Sequence, residues 1–185
     1  MQEKEYRKKK LGAGHPGDVL TYGLFIIYLA ALVWILLFKL GVQFDYMKTR
    51  SVNLIPFGGP SLSQGRIDWS ELILNVVVFV PFGIYAGVIF KRWSANKVLF
   101  LILALTLLIE SLQYILKIGA FDVTDILTNT TGGVLGWFLF QAIKRVIQDS
   151  TRAQNFVNIV ALIGTLLMIV LLVLLKTNNL GIRYQ

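Results

Sequence analysis

An all-α polytopic membrane protein is the fold class this sequence predicts: a bundle of five transmembrane helices with a re-entrant or interfacial loop between the first two. Three observations predict it. Five long segments are almost free of charge. The whole chain is 56% hydrophobic and only 15% charged, with mean hydropathy +0.68, where soluble domains carry about 25% charged residues. Finally, the few polar residues in these segments gather at one end of them. An ionisable group in a bilayer is costly unless it is paired or reaches water, so polar groups collected at one depth mark a site.

The apolar segments run over residues 19–40, 72–90, 98–116, 126–143 and 156–175, each close to the ~20 residues that cross the hydrocarbon core. They frame a five-helix membrane domain over 19–175, preceded by a basic arm over 1–18 and followed by a short tail over 176–185. The arm, with Arg7, Lys8, Lys9 and Lys10, looks like a signal-peptide n-region. The apolar stretch behind it is too long for an h-region and has no A-x-A site, so it reads as a retained helix. In the second segment, Val80-Pro81-Phe82-Gly83 would disfavour a soluble helix but is tolerated in a membrane one. Continuous rather than alternating apolar runs weigh against a β-barrel.

The chain has no cysteine and one histidine, His15 in the polar arm. This excludes disulfides, thiolate metal sites and a histidine zinc site. Net charge is +8 with pI near 9.8. The basic residues flank apolar spans, so their partners are anionic membrane lipids rather than nucleic acid. With the N-terminus inside, segments 1–18, 91–97 and 144–155 hold eleven Lys and Arg against seven in the longer outer segments. The positive-inside rule then gives a cytoplasmic N-terminus and an extracellular C-terminus. Trp34, Trp93, Trp137 and Tyr114 fall near span ends, as interfacial aromatics do.

In this orientation the loop over 41–70 faces outward. It contains Arg50-Ser51-Val52-Asn53-Leu54-Ile55-Pro56-Phe57-Gly58-Gly59-Pro60. Two prolines and two glycines make it irregular, and Leu54, Ile55 and Phe57 are too apolar for a solvated loop. It is expected to fold back on the bundle at the outer interface over 53–59. Asn75 lies one turn into the second span. Glu110 and Gln113 share a face near the outer end of the third, with Thr106 one turn deeper. Asp122, Asp125 and Asn129 form a stripe opening the fourth, continued by Gly132, Gly133 and Gly136, where small residues allow close helix approach.

Arg50, Asn53, Asn75, Glu110, Gln113, Asp122, Asp125 and Asn129 thus form a candidate binding set at the outer end, and the inner half is expected to hold no comparable set. Simpler roles stand beside this one: helix capping for Asp122 and Asp125, an Arg50 ion pair for Glu110, and interhelical hydrogen bonds for Asn75 and Gln113. The crowded carboxylates need an offset from Arg50, a bound cation or a shifted protonation state.

In their order and spacing, Arg50-x-x-Asn53-Leu54-Ile55-Pro56-Phe57, Asn75 with Phe79-Val80-Pro81-Phe82-Gly83, Glu110-x-x-Gln113, and Phe121-Asp122-Val123-x-Asp125-Ile126-x-x-Asn129-Thr130-x-Gly132-Gly133-x-x-Gly136 resemble the VanZ-like proteins over about residues 48–140. Many family members carry an Arg just before the Phe-Asp pair. This chain has Gly119-Ala120 there, so any role of that Arg passes to Lys117 or Arg50. The resemblance implies a bacterial plasma-membrane protein linked to low-level resistance to teicoplanin, a lipid-bearing glycopeptide.

Three functions compete. A non-enzymatic resistance factor would bind the drug, compete for its anchor, or alter lipid-linked cell-wall precursors nearby. A membrane enzyme acting on a lipid-linked or cell-wall substrate would use Glu110, Asp122 and Asp125 as acid and base, or as oxygen ligands of a divalent cation, with Arg50 on phosphate. Neither G-x-S-x-G, H-E-x-x-H nor a P-loop supports that chemistry. A lipid or small-molecule transporter is the third, against which five spans without an internal repeat weigh. Oligomeric state is not legible.

Overall fold

The computed structural model describes residues 16–38, 51–58, 62–63, 66–67 and 69–176. In chain order the elements are α1 (Pro16–Phe38), β1 (Val52–Asn53), β2 (Leu62–Ser63), β3 (Arg66–Ile67), α2 (Trp69–Ile89), α3 (Ala95–Leu116), β4 (Phe121–Asp122), α4 (Val123–Ile147) and α5 (Ser150–Lys176). The expected all-α architecture with five long helices is present. So are two small strand pairs that the sequence pattern does not announce. β1 runs parallel to β4, pairing Val52 with Phe121 and Asn53 with Asp122, and β2–β3 is an antiparallel hairpin.

Among the described residues four helices, α1, α2, α3 and α5, are long and apolar enough to cross a membrane. The protein is therefore a multi-pass membrane protein. α4 falls short of that hydropathy because Thr, Asn and Gly fill one of its faces. Its place in the bundle nonetheless sets it alongside α2 and α3. Gly132 lies against the Val76 carbonyl and Gly136 against the Val80 carbonyl, four residues on in each helix, so α4 and α2 run in the same direction. Gly133 meets Ile102, while the Asp122 amide meets Glu110, so α3 runs the other way. At 1.5 Å per residue the 25 residues of α4 extend about 37 Å, enough to cross. Its polar and small residues Thr124, Thr128, Asn129, Gly132, Gly133 and Gly136 are buried; Leu127, Leu135, Phe138 and Leu139 are exposed. Such an inverted distribution suits a helix whose outer neighbour is hydrocarbon.

The glycine face has a steric cause. A Cβ on Gly83 would overlap the Gly133 carbonyl, and one on Gly132 or Gly136 would overlap the Val76 or Val80 carbonyl. In the glycines a hydrogen occupies that direction, so the helices meet backbone to backbone and place C–H groups against C=O groups. Phe79, Phe140, Ile102 and Ile109 fill the buried centre around this seam. Pro81 sits inside α2, as the second segment predicts.

By backbone contacts the chain forms two compact units, residues 29–146 and residues 1–28 with 147–185. The second half of α1 belongs to the first unit and its beginning to the second. α1 starts at Pro16, three residues before the apolar segment at 19, and α5 starts at Ser150 rather than 156. Proline suits a first helical turn, where its missing N–H has no partner to lose.

Candidate binding site at the start of α4

Within the unit 29–146 the site is built around the first turn of α4. Its opening N–H groups have no partner inside the helix. Asp122, just before the helix, accepts the Thr124 amide on Oδ1 at 2.7 Å, as an N-cap does. In a capping box the amide of the cap residue is accepted by a Glu or Gln at the third helical position. That position is Asp125 here, but the Asp122 amide instead donates to Glu110 Oε2 of α3 at 3.0 Å. Asp125 is thereby left to accept Asn75 Nδ2 of α2 at 2.8 Å. Three carboxylates cluster at the positive end of a helix dipole, each held by an N–H donor.

The preceding loop locks onto the same turn. Asn53 Nδ2 donates to Asp122 Oδ2 at 3.0 Å and to the Gly58 carbonyl at 2.6 Å, and its Oδ1 accepts the Ile55 amide. The Phe121 amide donates to the Ser51 carbonyl, and the Phe57 amide to Thr124 Oγ1 at 3.0 Å. Residues 55–58 close a turn, Gly58 N–H to Ile55 C=O, with Pro56 at its second position and Phe57 at φ 59° at its third. This is the arrangement of a type II turn, whose third position normally takes Gly or Asn. A phenylalanine there is strained by about 1–2 kcal/mol, which the Thr124 contact helps to offset. Leu54, Ile55 and Phe57 turn outward, presenting an apolar rim. The loop backbone is thus anchored to the start of α4 over its described part, but these three apolar side chains are exposed rather than covered as expected; Gly59 lies outside the described residues.

The sequence-predicted set is brought together in part. Asn53, Asn75, Glu110, Asp122 and Asp125 are joined by direct hydrogen bonds across the loop and three helices. Glu110, Asp122 and Asn75 are buried. Gln113 is buried but serves α1: its Nε2 donates to the Leu36 carbonyl at 2.8 Å. Asn129 is buried farther along α4, and Gln113 Oε1 and Asn129 Oδ1 accept no hydrogen bond. Thr106 bonds only to the Leu103 carbonyl of its own helix. Arg50 and Lys48 lie outside the described residues, and so does the expected Arg50 contact. Lys117 is exposed at the left-handed C-cap of α3. Among the described residues no group of three His, Cys, Asp or Glu is arranged to hold a metal ion.

A further buried polar set lies outside the predicted one. In the unit formed by 1–28 and 147–185, Gln154 Nε2 donates to Asp18 Oδ1 and to Thr21 Oγ1, both at 2.9 Å. Asn158 Nδ2 donates to the Gly17 carbonyl at 3.1 Å, and Thr21 Oγ1 lies 2.9 Å from Asn158 Oδ1. Thr21, Gln154 and Asn158 are buried. The i, i+4 spacing of Gln154 and Asn158 could have revealed this stripe. Hydropathy alone does not reveal it, because Asp18 and Gln154 lie in polar first turns before the apolar segments at 19 and 156.

A family model for VanZ/LLP1 matches residues 25–145. The chain belongs to the VanZ/LLP1 family. It is also similar to Protein VanZ of Enterococcus faecium, 35% identical over 161 residues that cover 85% of this chain and 93% of that protein. No solved structure matches the chain. The VanZ/LLP1 match takes in the loop, α2, α3 and α4, and so the whole α4 site, whereas Asp18, Gln154 and Asn158 fall beyond it.

Proposed function

We propose that this VanZ-family protein lowers susceptibility to lipid-bearing glycopeptides of the teicoplanin type, and does so without covalent chemistry. The polar cap on α2, α3 and α4 would face the outer leaflet of a bacterial plasma membrane and engage a polar headgroup there, on the drug or on a lipid-linked cell-wall precursor. The observation that carries this reading is the bonding of the carboxylates. Glu110 takes the Asp122 amide, Asp122 takes Asn53 and Thr124, and Asp125 takes Asn75. Groups committed to holding a loop and three helices in register preorganise a surface; a general acid or base must turn its carboxyl toward a substrate proton. Gln113 Oε1 and Asn129 Oδ1 are buried acceptors that accept no hydrogen bond, and the apolar rim of Leu54, Ile55 and Phe57 suits an acylated ligand.

The orientation is part of the proposal and rests on the excess of Lys and Arg in the segments that would be inside. Labelling from outside tests it: Gln64→Cys should react and Lys97→Cys should not. Cells expressing a Glu110→Gln, Asp125→Asn double variant separate a binding factor from an enzyme. Both amides keep a carbonyl acceptor but cannot transfer the proton, so a binding factor retains most of its protection. Complete loss with normal membrane levels would favour acid–base catalysis.

A further inference from the structure

We infer that the unit 29–146 carries a second ligand site, for an anionic phospholipid, at the end of the bundle opposite the α4 cap. A groove of about 200 Å³ runs between the start of α3 and the middle of α4, lined by Val98, Leu99, Ile102, Val134, Trp137 and Phe138. It is too small for the roughly 300–1,000 Å³ of a drug-sized site, but it suits a stretch of one acyl chain. Leu99 and Phe138 are 39% and 59% exposed, so the groove opens sideways, where a bilayer supplies acyl chains.

Charge at its mouth selects the headgroup. Ala95 and Asn96, the first two residues of α3, border the groove. Ser94 caps that helix without a side-chain hydrogen bond, so the first-turn amides and the positive end of the dipole face this end. Lys91, Arg92 and Lys97 flank it and are exposed. Because α4 runs opposite to α3, its last turn brings Lys144 and Arg145 to the same end. Among the described side chains of this unit, Glu71, Glu110, Asp122 and Asp125 all lie at the other end, so within the unit this end is the basic one. Trp93, stacked on Phe90 at 4.1 Å, places an amphipathic ring at the same level, as interfacial tryptophans do. An apolar slot beneath a cluster of cations at a helix N-terminus matches a molecule with an acyl tail and a phosphate head.

The full chain, reconstituted in phosphatidylcholine vesicles doped with a trace of acyl-diazirine phosphatidylglycerol or acyl-diazirine phosphatidylcholine, tests this. Photolabelling of residues 95–102 and 134–138 should favour phosphatidylglycerol by about tenfold or more, the strength of two or more surface cations. The preference should fall as salt rises. An Arg92→Gln, Lys97→Gln variant, altered only at exposed positions, should label both lipids nearly alike. Equal labelling of the wild type by the two lipids, label spread evenly over the helices, or an undiminished preference in the variant would each overturn the site.

Discussion

Glu110 Oε2 accepts the backbone N–H of Asp122 at 3.0 Å, so a side chain of α3 closes the first turn of α4. The bond lies where both groups are buried, and removing the acceptor strands an N–H away from water. Glu110→Ala should lower stability by about 1–3 kcal/mol, whereas Glu110→Gln, which keeps a carbonyl oxygen, should lose less. Thermal unfolding of the two variants in detergent checks this; equal losses would mean the acceptor has no special role.

The backbone seam between α2 and α4 makes a sharper prediction. Gly132→Ala and Gly136→Ala each place a methyl group on a carbonyl of α2, and rigid helices cannot yield locally. A destabilisation of about 1–3 kcal/mol or more is expected, seen as lower folded yield and melting temperature. Gly164→Ala is the control, because nothing lies within 4 Å of the added carbon. Comparable losses at all three would contradict the close approach.

The buried network of the other unit should show the asymmetry of polar burial. Thr21→Val removes the hydroxyl that meets both Gln154 and Asn158 and should cost about 1–2 kcal/mol. Thr21→Val with Asn158→Leu, which removes two partners together, should cost less than the sum of the single changes. A double-mutant cycle read by thermal unfolding measures the coupling, and strict additivity would show that the two side chains act separately.

Asp149 provides the pH dependence. The Arg152 amide, then the Thr151 amide, hold its carboxylate below its ordinary range, with the nearby Arg152 charge adding a smaller effect. Folding therefore favours the ionised form. Its contribution is fully present above the unfolded-state value of about 3.9 and is lost as pH falls through the lower folded value. Asp149→Asn keeps a capping oxygen but does not titrate there. It should flatten the acid limb of stability between those two values; an unchanged limb would assign the effect to other groups.

Much of this was legible in sequence, for identifiable reasons. The spacing of Glu110, Asp122, Asp125 and Asn75 placed them at one end because helical periodicity fixes both face and depth. Gly132, Gly133 and Gly136 announced a close helix contact for the same reason. The bonding pattern was not legible: that Glu110 would serve the Asp122 amide, and so release Asp125 to Asn75, depends on how three helices meet. The β1–β4 pairing joins residues 69 positions apart, beyond any local signal. The Asp18–Gln154 network is not legible from hydropathy, which discounts polar first turns.

The most direct test of the account is teicoplanin susceptibility of cells expressing the wild type, Arg50→Ala, Lys48→Ala and Asp125→Asn at matched membrane levels. The proposed polar site predicts that Arg50→Ala sharply reduces protection, Asp125→Asn reduces it modestly because one hydrogen-bond acceptor remains, and Lys48→Ala leaves it intact. Equal protection by all four proteins would contradict the account and reduce the cluster at the start of α4 to a structural clasp.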